Sequence, residues 1–74
     1  MLFRSGGLLP TVMNGANEAA VALFMQGKIS FMAIPALIDS AMSAYTGENE
    51  LSVENVLHAD AWARAHVAQR AETI

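Results

Sequence analysis

Apolar residues dominate the chain, and where they recur at regular spacing the interval is three or four residues rather than two. From Pro10 to Gln26 nearly every residue is a good helix former, with Ala16, Ala19, Ala20 and Ala22 prominent. Pro10 suits a first helical turn, where its missing N–H leaves no bond unmade. Gly27 supplies a left-handed stop, Lys28 sits near the negative helix end, and Ile29 is placed for the apolar contact that accompanies such a stop. Val12, Met13, Ala16, Ala20, Leu23 and Phe24 form one face, yet Val21 and Met25 lie on another. A helix apolar nearly all round is usually buried on several sides, so this one is expected at the centre of the domain.

A second helix follows Ser30. Pro35 is tolerated only in a first turn, which places the start near Met32–Ile34. Leu37, Ile38, Ala41, Met42 and Tyr45 make its core stripe, and Gly47 with Glu48-Asn49-Glu50 ends it in a polar turn. Ser52 reads as an N-cap, with Glu54 favourable in the turn behind it. Asp60 is a second cap candidate eight residues on, so the spacing predicts a short helix, a bend near His58–Ala59 and a final helix from Ala61 to about Arg70. One unbroken helix is the alternative, since nothing between them is a strong breaker. No segment alternates with period two. The expectation is an all-α fold: a small antiparallel four-helix bundle, two helices long and two shorter, without strands.

Composition sharpens this picture. The chain has 74 residues, 54% hydrophobic and only 15% charged, against roughly 45–50% and about 25% in ordinary domains. So short a chain buries only about 60% of its unfolded surface. It therefore carries more apolar surface than it can hide, and is expected to oligomerise or to pack on a larger body. Net charge is −3, and the four basic residues, Arg4, Lys28, Arg64 and Arg70, are scattered. That distribution argues against a nucleic-acid partner. No apolar run approaches the roughly 20 residues of a membrane span, and cysteine is absent. Met1-Leu2-Phe3-Arg4-Ser5 matches what a sequencing-adapter tail encodes in frame, so residues 1–5 read as a non-native leader and residues 6–74 as the domain; a native start is the other reading.

Three groups of side chains invite a chemical reading. Asn14, Asn17 and Glu18 fall on one side of the first helix. One carboxylate and two amides make a poor site for a hard cation, which prefers several oxygens and more charge. A structural polar network is the preferred reading, with Glu18 receiving backbone N–H groups from a neighbouring helix start. His58, Trp62 and His66 follow at four-residue steps if the helix is continuous. The histidines are then too far apart to share one ion, and Trp62 is expected to be a core anchor. Asp60 and Arg64 are a possible i,i+4 pair. Of the five methionines, Met13, Met25 and Met42 sit where helix cores need filler. Nothing resembles a nucleophile elbow, a phosphate-cradling Gly loop or a metalloprotease helix. No catalytic, cofactor-binding or metal-binding residue is assigned.

The segment Leu9-Pro10-Thr11-Val12-Met13-Asn14-Gly15-Ala16-Asn17-Glu18-Ala19-Ala20-Val21 resembles the start of the C-terminal domain of 1-deoxy-D-xylulose 5-phosphate reductoisomerases, where an Asn-x-Ala-Asn-Glu segment opens the first long helix. The similarity continues through Gly27-Lys28-Ile29-Ser30-Phe31, Ile34-Pro35-Ala36-Leu37-Ile38, Leu51-Ser52-Val53-Glu54-Asn55-Val56-Leu57 and Ala59-Asp60-Ala61-Trp62-Ala63-Arg64. Members often place Thr and Asp, which cap the second helix, where Met32 and Ala33 stand here; that helix start is expected to be less sharply fixed.

The resemblance implies a parent enzyme of non-mevalonate isoprenoid biosynthesis, cytoplasmic and homodimeric. Such an enzyme rearranges 1-deoxy-D-xylulose 5-phosphate and reduces the product with NADPH, using Mg²⁺ or Mn²⁺. In that family the dinucleotide fold is N-terminal, and the metal and phosphate ligands lie in a central domain. None of those motifs matches this chain, so the implied role is a non-catalytic support domain whose partners are the remaining domains of the enzyme. A stand-alone helical module that dimerises through the first helix is the rival expectation, and an independent small enzyme or metal binder the third.

Overall fold

The computed structural model describes residues 7–47 and 50–73, and every regular element among them is helical. Helix α1 runs Leu9–Met25, α2 Ala33–Ala44 and α3 Val53–Ala71. The chain goes up, down and up again. Tyr45 meets Trp62 while Ser40 meets His66, which sets α2 antiparallel to α3. Gly15 lies against Asp60 and Glu18 against Arg64, so α1 and α3 run parallel.

Each helix boundary has a local cause. Pro10 stands in the first turn of α1, as expected. At its other end Gly27 takes φ 76°, the Gly27 N–H donates to the Phe24 carbonyl at 2.9 Å and the Lys28 N–H to the Leu23 carbonyl at 2.9 Å. That pair of bonds is a Schellman stop, and Ile29 packs against the core behind it. Helix α2 enters through a tight turn from Ser30, whose carbonyl accepts from the Ala33 N–H at 3.1 Å. Its N-cap is Met32, with no side-chain cap bond. In α3 the Ser52 hydroxyl accepts from the Asn55 N–H at 3.1 Å, and Glu54 and Arg70 complement the dipole at the two ends.

The expected bend near His58–Ala59 is absent, and with it the fourth helix: three helices stand among the described residues, not four. Asp60 does not act as a cap. Its carboxylate accepts from Arg64 one turn ahead at 2.9 Å, which supports a continuous helix instead of opening a new one. The proposed leader at residues 1–5 lies outside the described residues.

The core is a column of small side chains closed at its ends by larger ones. Leu8, Val12, Ala16 and Ala20 on α1 meet Ile34, Leu37 and Ala41 on α2 and Ala59, Ala63 and Val67 on α3. Helix α1 packs on both partners far more extensively than α2 and α3 pack on each other, so it is the central helix. It is not, however, buried on several sides. One stripe is covered, while Met13, Val21, Phe24 and Met25 stay exposed. Met13 and Met25 therefore do not fill the core; Met42 does pack against it.

Candidate functional site

Gly15 permits the closest approach of α1 to α3. A β-carbon there would stand 2.7 Å from Asp60 Oδ1, 3.2 Å from the Asp60 carbonyl oxygen and 3.4 Å from Ala63 Cβ. Sequence reasoning passed over this position. The available signal was a glycine inside an otherwise strong helix pattern, which marks close packing when it does not mark a stop.

Directly beside that contact lies the main charged cluster. The Arg64 guanidinium donates through Nη2 to Glu18 Oε1 at 2.6 Å and through Nε to Asp60 Oδ2 at 2.9 Å. One arginine thus clips α1 to α3. Donating hydrogen bonds to Asp60 and then to Glu18 raises the Arg64 pKa above its ordinary value. A raised pKa on a cation contributes stability that is complete below the unfolded value and lost only as pH rises through the folded one. For an arginine that window lies in extreme alkali, so the clip stays charged throughout the neutral range.

The structure separates the expected polar trio. Glu18 joins Arg64 and Asp60 instead of receiving backbone N–H groups, while Asn14 and Asn17 lie exposed on the open side of α1. The Trp62 side chain is half-buried against the core, edge-on to Tyr45 at 5.2 Å and stacked on His66 at 4.9 Å. His66 Nε2 pairs with Ser40 Oγ at 2.9 Å, so this aromatic ladder ties α3 to α2. His58 is exposed. The Ser40 partner was not legible in advance, because it depends on which face of α2 meets α3.

The chemistry available to these residues is limited. Among the described residues no three His, Asp or Glu side chains gather as a metal cage would require, and a cation occupies the space between Glu18 and Asp60 already. Gly27 lies at the C-terminal end of α1, where the helix dipole disfavours a phosphate. No described helix is long and apolar enough to cross a membrane. A groove of about 600 Å³ runs between Met13 and the Pro35–Met42 side of α2, wide open to solvent.

These features define a class: an all-helical packing domain with small-residue seams and side-chain clips. Comparison with known proteins narrows it. The sequence signature of the DXP reductoisomerase C-terminal domain matches residues 1–66. The chain is 48% identical over 73 residues to the 1-deoxy-D-xylulose 5-phosphate reductoisomerase of Synechocystis sp., covering 96% of this chain and 18% of that protein. It is 52% identical over 66 residues to the enzyme of the same name from Acaryochloris marina, covering 86% and 16%. With that of Exiguobacterium sibiricum it shares 45% over 65 residues, covering 88% and 17%. No solved structure matches. This chain belongs to the DXP reductoisomerase C-terminal domain family. It spans about one sixth of the length of the curated relatives it matches.

Proposed function

We propose that the chain serves as the C-terminal support domain of a 1-deoxy-D-xylulose 5-phosphate reductoisomerase, bracing the parts of that enzyme that carry the chemistry. The observation that carries this reading is the family match at 16–18% of the relatives' length. The exposed large apolar residues, Met25, Phe31, Met32, Leu51, Val53 and Leu57 among them, support it, since a 74-residue chain gains nothing in water from such a surface. NADPH and Mg²⁺ or Mn²⁺ belong to the other domains of the parent, a cytoplasmic homodimer in this reading. Within the domain, Trp62 anchors the seam between α2 and α3 and Glu18 ties α1 to α3 through Arg64, while Asn14 and Asn17, exposed in this chain, would make their bonds to the rest of the parent enzyme.

The test is reconstitution. A reductoisomerase such as the Synechocystis relative, truncated before its C-terminal domain, is co-expressed with this chain, and substrate-dependent NADPH oxidation is followed. Activity should rise above that of the truncated enzyme alone, and the isolated 74-residue chain should turn over nothing. Failure to restore activity where the relative's own last domain succeeds refutes the reading, as does turnover by the isolated chain.

A further inference from the structure

Each helix has an open side, and they differ in kind. On α2 the open positions include Asp39 and Ser43; on α3 they include Glu54, His58 and Gln69. Both faces carry free charged side chains, although α3 also exposes Val53 and Leu57 in its first turns. Helix α1 is different. Its exposed stripe runs Asn14, Asn17, Val21, Met25, stepping by three and four residues along one side of the helix. Met13 and Phe24, 47% and 37% exposed, flank the stripe. Between Leu9 and Met25 the single charged residue is Glu18, and Arg64 neutralises it. The central helix of the domain thus shows solvent two amides, apolar side chains and no uncompensated charge.

We infer that this stripe of α1, from Asn14 to Met25, is the surface on which the preceding part of the parent reductoisomerase docks. The inference rests on the support-domain reading and adds to it the face that makes contact. Three observations select this occupant. The family's domain is C-terminal and forms about one sixth of its relatives, so most of the parent polypeptide lies ahead of it. The stripe continues through Met13 into the open groove beside α2, which gives an apolar partner element a lane to enter. Two amides amid apolar side chains fit a backbone-rich protein surface, where each both donates and accepts, and the lack of free charge matches the charge-depleted centre of protein interfaces.

The experiment uses the two-part enzyme. Binding of this chain to the truncated relative is measured by titration calorimetry for the unaltered chain, Val21→Arg and Asn17→Arg on the stripe, and Gln69→Arg on the open side of α3, away from the groove. All three positions are exposed and helical, so thermal melting of the isolated variants checks that each is as folded as the unaltered chain. The stripe variants should bind about tenfold more weakly or worse, the size of a central interface position, and Gln69→Arg should bind normally. Equal binding by Val21→Arg and the unaltered chain overturns the inference and leaves the support role standing. Failure of even the unaltered chain to bind, where the relative's own last domain does, takes both down. A discrete dimer of the isolated chain that Val21→Arg abolishes assigns the stripe to a second copy and overturns the inference as well.

Discussion

Replacing Gly15 tests whether the seam between α1 and α3 is set by the missing side chain. With alanine, two effects oppose. Alanine gains about 1 kcal/mol over glycine in a helix interior. Its methyl, though, would stand 2.7 Å from Asp60 Oδ1 and 3.2 Å from the Asp60 carbonyl oxygen. The carboxylate can swing away at the cost of its 2.9 Å bond to Arg64; the carbonyl belongs to a rigid helix and yields only if α3 shifts by a few tenths of an ångström. Gly15→Ala should therefore fall within about 1 kcal/mol of the parent, its helix gain largely cancelled. Valine places two further carbons about 1.5 Å beyond that point, inside the seam with Ala63. Overpacking of this kind costs about 1–3 kcal/mol. Taking about 2 kcal/mol, the midpoint of thermal unfolding should fall by roughly 8–16 °C for a domain of this size. Far-UV circular dichroism of the purified chain measures it. Gly15→Val melting within about 2 °C of the parent, well under the shift expected for 1 kcal/mol, refutes the close-approach argument. A second arm separates the two contacts: in an Asp60→Ala background the carboxylate is gone and only the backbone carbonyl contact remains, so Gly15→Ala should be more favourable there than in the parent.

The remaining predictions concern the ends of helices and the core. Gly27→Ala forces a β-carbon into the left-handed region with open space around it, so it should lose about 1–2 kcal/mol from backbone strain alone; Gly27→Asn should lose less, both read by urea unfolding. Ser52→Ala removes the hydroxyl that accepts from the Asn55 N–H and should lose about 1 kcal/mol, while Ser52→Asp keeps the parent midpoint. Leu8 is fully buried, and Leu8→Ala should cost about 2–5 kcal/mol. At about 4–8 °C per kcal/mol for a domain of this size, the thermal midpoint should fall by at least roughly 8 °C, read by circular dichroism.

The helix ends were readable because each depends on one or two neighbouring residues. Gly27 is the clearest case, where a glycine after a helical run forms both Schellman bonds. Ser52 is another, its cap bond needing only the residue three places on. The bend near His58 was misjudged for a related reason. Asp60 has the chemistry of a cap, but in this fold it has a better partner in Arg64, and Arg64 is held in turn by Glu18, 46 positions earlier in the chain. Local propensity cannot register a partner so distant. The site divides in the same way. The polar positions on α1 stood out in the sequence, whereas their separation into one clipped carboxylate and two exposed amides follows from where α3 lies.

The sequence by itself determined that the chain is helical, where two of its three helices stop and start, and which family it belongs to, because these rest on local backbone preferences and on residue order. Only the tertiary structure decided which apolar residues are inside. Nearly every side of α1 is greasy enough to be buried, so periodicity alone cannot choose among them. The choice fell to Gly15 and the alanines, which let α3 come close on one side and leave Val21 and Met25 facing out on the other.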